Sequence, residues 1–208
     1  TLYDRHPANV VRLILNRRTP DDTVENSPYT RAKGYLHDWI KQGILRRDDK
    51  PALYAYTQRW EQPAGKPVER RGIIEQTLPG PKQDRLQLVQ HTMTNLSQLF
   101  MVYEDPDRWV EQHLFTLSAD TAQTFSGGNT STRYASQAVD RHGVTHTLQA
   151  VTDSAKIAQA QVLFQHQTLL IADGHHRYET ALDFREAVRH KTGLTGELAT
   201  DYVMVFLS

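Results

Sequence analysis

The residues best suited to chemistry lie together in one short stretch, Asp173-Gly174-His175-His176-Arg177. Arg177 offers a planar fork of donors for phosphate or carboxylate, and the two histidines donate hydrogen bonds near neutral pH. Gly174 lets the backbone pass close to a ligand. Asp173 can cap the following helix, hold a cation or accept a proton. These residue types predict an anion site with an acid beside it; the alternative is a capped helix start with exposed histidines.

The elements on either side place this stretch at a strand-to-helix turn. The apolar run from Thr168 to Ala172 predicts a short buried strand, and Asp173-Gly174 breaks it. Apolar residues from Tyr178 to Val188 then recur at helical spacing, and Gly193 supplies a stop after a helix reaching about Lys191. The first N–H groups of a helix lack internal partners and its dipole makes that end positive. The turn therefore suits an anion.

A second candidate stretch runs from Glu75 to Arg85. Pro79-Gly80-Pro81 disfavours regular structure, so it presents Thr77, Lys82 and Arg85 in a loop close to a carboxylate. An amphipathic helix follows, which places Lys82 and Arg85 in its first turn, where the helix dipole disfavours cations. Cations at this end indicate an anion nearby; the alternative is two solvated basic residues on a polar face.

The end of this helix carries two further polar residues, Asn95 and Ser97. They can line a pocket or cap the helix, and we favour capping because both residue types commonly bond to neighbouring backbone groups.

The same motifs carry two resemblances. The turn from Asp173 to Ala181, after an apolar strand, is similar to the signature turn of the ParB/sulfiredoxin superfamily, whose members include partition proteins, sulfiredoxins and free serine kinases. From end to end, the chain resembles the prokaryotic family called domain of unknown function 1015. The segments that carry this likeness are Leu2–Leu13, Pro51–Tyr56, Glu75–Leu86, Asn95–Phe100 and Ile171–Ala181.

The superfamily resemblance implies a ParB/sulfiredoxin-like C-terminal portion, and a Glu upstream of the turn that acts as catalytic base in its kinases. Glu75 is the match for this base. The sequence departs from the family pattern at this point, because Ile74 directly abuts Glu75, where family members carry a longer segment with a His before the Glu. We expect that segment, and the family's N-terminal and C-terminal parts, to be missing from the chain.

Strands and helices alternate along the sequence, which predicts an α+β fold with a mixed sheet and packed helices. We expect an N-terminal portion at 1–117, a flexible Ser/Thr/Gly-rich connection at 118–132 and a C-terminal portion at 133–208, or one continuous domain. The local patterns predict a strand at Val10–Leu15, a helix from Ser27-Pro28 to Gly43, and hairpins pairing 53–57 with 68–74 and 133–139 with 144–151.

Composition excludes several classes of function. The chain has 208 residues, a formal net charge of zero and no cysteine, so disulfides, thiol catalysis and cysteine metal sites are excluded. A neutral chain offers no global attraction to nucleic acid or anionic membrane, and no apolar run is long enough to span a bilayer. We expect a cytoplasmic protein without membrane or nucleic-acid partners, its oligomeric state left open.

The favoured function is a small-molecule phosphotransferase, a nucleotide- or pyrophosphate-dependent kinase of a serine-like hydroxyl. Glu75 or Asp173 would activate the hydroxyl, and His176 would relay a proton. Mg²⁺ with ATP, ADP or pyrophosphate is the expected cofactor, because phosphoryl transfer needs a cation on the phosphates. The expected ligand-binding residues are Gly174, His175, Arg177, Thr77, Lys82 and Arg85.

Two other classes of function remain open. A nucleotide- or nucleic-acid-binding regulator of ParB type would need a basic stripe with aromatic partners, which a neutral chain does not favour. A metal-dependent hydrolase would use Asp173, His175 and His176 as ligands. Adjacent residues at the start of a helix point about 100° apart, so two such histidines meet one ion only if the turn is irregular.

Overall fold

The computed structural model describes residues 1–59, 79–114 and 135–208. The elements within these ranges are α1 (Leu2–Arg5), α2 (Val11–Ile14), α3 (Pro28–Lys41), β1 (Leu53–Arg59), α4 (Pro79–Thr92), β2 (Leu99–Val102), α5 (Trp109–Leu114), β3 (Ala135–Val139), β4 (Thr145–Val151), α6 (Ser154–Gln165), β5 (Leu170–Asp173), α7 (His175–Thr192), a 3₁₀ helix (Ala199–Asp201) and β6 (Val205–Leu207).

These elements form two compact units. Of the described residues, the first unit contains 1–47, 79–103 and 169–208, and the second contains 48–59, 104–114 and 135–168. Both units draw on chain segments from either side of the predicted connection at 118–132. The connection itself lies outside the described residues and stays a prediction.

Helix α3 of the first unit begins and ends where its sequence predicts. The Thr30 N–H donates to Ser27 Oγ at 3.2 Å, and Pro28 occupies the first helical position, where its missing N–H has no cost. Gly43 follows the helix with a φ of +71°, a left-handed conformation that favours glycine. The buried face of α3 is formed by Ala32, Leu36 and Trp39.

The strand predicted at Val10–Leu15 is wrong, because Val11–Ile14 forms the short helix α2. The Val11 N–H donates to the Asn9 side-chain oxygen at 3.1 Å, which forms a side-chain turn at the start of the helix. Leu13 is buried in one cluster with Leu36 and Trp39 of α3. A local side-chain turn and the burial of an apolar side chain outweigh the β propensity of Val and Ile, which depends strongly on context.

The sheet of the first unit has the order β5-β2-β6, with β2 antiparallel to β5 and parallel to β6. Leu99 on the central strand is fully buried, at 0% exposure. The prediction that the strand before Asp173 is buried is wrong, because β5 lies at the edge of this sheet and Leu170 is 62% exposed. An apolar run specifies a strand more reliably than it specifies the burial of that strand.

Helix α4 starts earlier than predicted. It begins at Pro79, so the Pro79-Gly80-Pro81 tripeptide forms its first turn instead of preventing regular structure. Proline is tolerated there because the first N–H groups of a helix have no internal partner. Helix α4 packs against both α3 and α7. Its buried residues are Leu88 and Thr92.

The sheet of the second unit is antiparallel, with the order β1-β4-β3. The hairpin of β3 and β4 confirms its prediction, with Val139 opposite Thr145 across the turn at 140–144. Strand β1 pairs with β4 from Leu53 opposite Val151 to Arg59 opposite Thr145. The predicted hairpin partner of β1 at 68–74 lies outside the described residues. The core of this unit is formed by Ala55, Leu114, Val151 and Ala160.

One antiparallel and one mixed sheet, each with helices in its unit, confirm the predicted α+β class. In the three described ranges, no helix is both long enough and apolar enough to cross a membrane.

Candidate functional site

The predicted strand, turn and helix around the candidate motif are all present. Strand β5 ends at Asp173, Gly174 adopts φ +96° and ψ 25°, and α7 begins at His175. The N–H groups of Arg177 and Tyr178 donate to the Gly174 carbonyl at 2.9 and 3.0 Å, which closes the first turn. The helix ends at Thr192, and Gly193 caps it with a φ of +66°.

Gly174 is required by its neighbours as well as by its backbone conformation. A Cβ atom at this position would lie 2.9 Å from both Nε and Nη2 of Arg177, and 3.0 Å from Cδ2 of the buried Leu99. Real Cβ atoms essentially never lie less than 3.0 Å from another heavy atom, and a separation of 3.0 Å is tighter than nine in ten real Cβ contacts. Gly174 therefore allows the backbone to pass over the Arg177 guanidinium, which occupies the place where we predicted close approach of a ligand.

Arg177 is held in place by two contacts. Its Nη2 pairs with Asp173 Oδ2, and its Nη1 donates to the carbonyl oxygen of Gln98. Of the roles considered for Asp173, capping is not the one seen, because Gly174 is the N-cap and α7 has no side-chain cap. The structure places the Asp173 carboxylate on Arg177, with the Asp173 side chain 60% exposed and the Arg177 side chain 27% exposed.

Lys82 meets acidic residues of α7. Its Nζ lies 3.3 Å from Glu179 Oε2 and 3.0 Å from Asp183 Oδ2. The hydrogen bond to Asp183, followed by that to Glu179, raises the pKa of Lys82 above its usual value. The position of Lys82 at the start of a helix predicted an anion nearby. The structure shows that two carboxylates of the protein, those of Glu179 and Asp183, take this place.

Arg85 lies one turn further along α4 than predicted, because the helix begins at Pro79. Its Nη1 donates to the Ile14 carbonyl oxygen at 2.8 Å. Among the described residues, this guanidinium thus contacts a neutral acceptor.

Arg85 and Arg177 both line one pocket in the first unit, which we call the α4–α7 pocket. Its volume is about 50 Å³. Each helix contributes a row at positions i, i+3 and i+4, which share one face of a helix. The lining residues are Arg85, Leu88 and Val89 of α4, Arg177, Thr180 and Ala181 of α7, the segment Thr94–Ser97, and Val203.

Both apolar and polar side chains line the α4–α7 pocket. Thr180 is 4% exposed, and its hydroxyl lies 2.6 Å from the His176 carbonyl oxygen. Asn95 and Ser97, for which we favoured capping, line the pocket. One water needs about 10–15 Å³ of such volume, and drug-sized ligands occupy several hundred. The pocket thus suits one phosphate or carboxylate group, with the rest of a larger ligand outside it.

The remaining predicted site residues divide into two groups. His175 and His176 are half-buried in the first turn of α7 and are not among the residues that line the α4–α7 pocket. Glu75 and Thr77 lie outside the described residues, so their proposed roles stay predictions. Thr180 and Val203 were missed. On each helix, the residues three and four positions after the arginine share its face and line the pocket. This spacing from Arg177 is the signal that could have identified Thr180.

The donors around the turn were also considered as metal ligands. Among the residues that the structure describes, there is no group of three or more His, Asp or Glu side chains that could hold a metal ion. Asp173, His175 and His176 do not form such a group. Mg²⁺ commonly binds through one or two carboxylates and the phosphates of its ligand, and Asp173 is the carboxylate that the described residues place on Arg177.

The family model described as "Protein of unknown function (DUF1015)" matches residues 1–74 and 75–208. The chain therefore belongs to this family. The two matched segments meet between Ile74 and Glu75, the junction at which the sequence departs from the family pattern. No curated protein and no solved structure matches the chain.

Proposed function

We propose that this DUF1015 family member binds the phosphate group of a small molecule in the α4–α7 pocket and transfers a phosphoryl group to a serine-like hydroxyl. One observation carries the proposal: Arg85 and Arg177, on two different helices, line one small pocket with polar side chains. Guanidinium groups suit phosphate because their planar donors match its oxygens in two-point contacts.

The strength of such contacts supports phosphate as the ligand. A hydrogen bond to a charged group contributes about 1.5–3 kcal/mol, so one from each arginine supplies about 3–6 kcal/mol before entropic costs. A dissociation constant of 1 mM corresponds to about 4 kcal/mol, which places inorganic phosphate in the millimolar range. A larger ligand gains further affinity from contacts outside the pocket.

Phosphoryl transfer would use these arginines as electrostatic groups. The acceptor hydroxyl oxygen forms a bond to phosphorus, the bond from phosphorus to the leaving oxygen of the donor breaks, and the hydroxyl proton passes to a base. Arg85 and Arg177 neutralise the charge on the transferring group. Glu75 is the proposed base on the strength of its resemblance, with Asp173 as the alternative and His176 as a proton relay.

The donor in this proposal is a nucleotide or pyrophosphate. Mg²⁺, when bound to the donor, would neutralise part of the phosphate charge. The protein's own contribution is to bind the phosphate group, orient it and supply positive charge.

A thermal-shift screen tests the proposal. Wild type and Arg177→Ala are heated with inorganic phosphate, phosphoserine, pyrophosphate, ADP or ATP, with and without Mg²⁺, because a bound ligand raises apparent stability by mass action. Arg185→Ala is a matched control, since Arg185 lies on the same helix and pairs with Glu186 away from the pocket.

A ligand-dependent shift in wild type and in Arg185→Ala that is lost in Arg177→Ala is the expected result. The active ligands are then assayed for phosphate transfer to serine. Equal shifts in all three proteins, or none in wild type, would contradict phosphate binding at the pocket. Binding without transfer to any hydroxyl would leave a phosphate-binding protein and remove the transferase.

A further inference from the structure

The Arg177 guanidinium that lines the pocket already carries an anion, the carboxylate of Asp173. We propose that an incoming anionic ligand displaces the carboxylate of Asp173 from Arg177. The free-energy cost of breaking this pair then lowers the affinity of the pocket for every anion. The inference rests on the proposed function, because it requires an anion to bind at the α4–α7 pocket.

The contacts of Arg177 show why the two anions compete. A guanidinium makes two-point contacts through its Nε and Nη2 atoms or through its Nη1 and Nη2 atoms, so both arrangements use Nη2. Asp173 holds Nη2, and the Gln98 carbonyl oxygen accepts from Nη1. Nη2 carries two N–H donors, one on each edge of the guanidinium, so a phosphate that makes a two-point contact at either edge takes the position of Asp173 or lies directly beside its carboxylate. Two anions so close repel each other, which favours release of one of them from Arg177.

The surroundings favour departure of Asp173 over distortion of Arg177. The Asp173 side chain is 60% exposed, so its carboxylate regains full hydration when it turns away. Arg177 keeps its contact to the Gln98 carbonyl oxygen, which holds the guanidinium at the pocket during the exchange. Gly174 has no side chain, so nothing at this position blocks movement of the neighbouring carboxylate.

Displacement predicts a specific pattern of affinities. Every ligand must break the same Asp173–Arg177 pair, so the free-energy cost is common to all ligands. Removal of the carboxylate should then tighten a monoanion and a dianion by the same factor. If Asp173 stayed in place and acted at a distance, a dianion would feel its charge about twice as strongly as a monoanion.

The experiment measures dissociation constants of inorganic phosphate and acetate by isothermal titration at pH 8, where phosphate is mainly a dianion. The proteins are wild type, Asp173→Asn and Asp173→Ser, the second variant guarding against an asparagine that keeps the bond to Arg177. Glu186→Gln is the control, because Glu186 forms a similarly exposed pair with Arg185 on the same helix.

Both Asp173 variants should bind phosphate about two- to five-fold more tightly than wild type, the range expected for release of an exposed ion pair. Acetate should tighten by the same factor, and Glu186→Gln should match wild type. Equal or weaker binding in the Asp173 variants overturns the inference and leaves the proposed function intact. Displacement is also overturned if the fold-change in the dissociation constant of phosphate is near the square of the fold-change for acetate. Absence of saturable phosphate binding in wild type overturns both proposals.

Discussion

Replacing Gly174 with alanine should destabilise the first unit more than the same change at Gly193, the glycine at the other end of α7. The new Cβ would lie 2.9 Å from Nε and Nη2 of Arg177 and 3.0 Å from Cδ2 of Leu99. Arg177 can shift its guanidinium, which breaks its pair with Asp173. Leu99 lies on the central strand and is fully buried, so it has little room to move.

The size of the effect follows from two contributions. A left-handed conformation costs a non-glycine residue about 1–2 kcal/mol, and the φ of Gly174 is +96°. Insertion of a methyl group into a filled space costs about 1–3 kcal/mol. Gly174→Ala should therefore reduce the free energy of unfolding by about 2–5 kcal/mol.

Two glycines on the same chain separate these contributions. Gly193 has a φ of +66° and would place its Cβ in open space, so Gly193→Ala carries the conformational cost alone. Gly34 lies inside α3, also with open space around it, and Gly34→Ala should stabilise by about 0.4–1 kcal/mol by restricting the unfolded chain.

The assay is urea unfolding followed by circular dichroism, with the midpoint and slope fitted for each variant. The expected order of stability is Gly34→Ala, wild type, Gly193→Ala and then Gly174→Ala. If Gly174→Ala loses no more stability than Gly193→Ala, the close approach of Gly174 to Arg177 and Leu99 is wrong. The position of the guanidinium at the pocket would then lose its structural basis.

Three further predictions concern charges and caps. The hydrogen bond from Lys82 to Asp183, followed by that to Glu179, raises the pKa of Lys82 above 10.5. The stabilising contribution of Lys82 is therefore present below that pH and is lost as pH rises further. The melting temperatures of wild type and Lys82→Met should converge in strong alkali, and a constant difference would contradict the pairing. The hydrogen bond from Arg31 lowers the pKa of Asp22 from 3.8 to about 2. The contribution of Asp22 to stability is therefore present above pH 3.8 and is lost as pH falls toward 2. Acid unfolding curves of wild type and Asp22→Asn should meet at the acid end, and curves that stay apart there would refute the pairing. Asp153 accepts hydrogen bonds from two N–H groups at the start of α6. In urea unfolding, Asp153→Ala should therefore lower the free energy of unfolding by about 1 kcal/mol, whereas Asp153→Asn should lower it little. Equal losses of stability in the two variants would exclude capping.

Local signals predicted the elements that depend on a few neighbouring residues. The Ser27-Pro28 pair and the two glycines that bound α7 each satisfy a backbone requirement within one turn. Their positions therefore follow from sequence. The Pro79-Gly80-Pro81 tripeptide has two local solutions, a break or a helix start, and the structure shows the second.

Long-range features were beyond local reasoning. The pairing of β2 with both β5 and β6 joins segments separated by many residues, and no residue pattern near β2 specifies those partners. The same holds for Lys82, whose carboxylate partners lie on α7, and for the pocket, which needs α4 and α7 side by side. The sequence identified Arg85 and Arg177 by residue type, whereas their meeting at one pocket is a property of helix packing.

Binding of phosphate at the α4–α7 pocket can be located residue by residue in a titration followed by backbone amide chemical shifts. Inorganic phosphate is added to the isotopically labelled protein, with Arg85→Ala and Arg185→Ala measured in parallel. Phosphate in the pocket should produce saturable shifts that cluster at residues 94–97 and 177–181 in wild type and Arg185→Ala and that weaken in Arg85→Ala. Saturable shifts elsewhere on the chain, or none at these two segments, would contradict binding at the pocket.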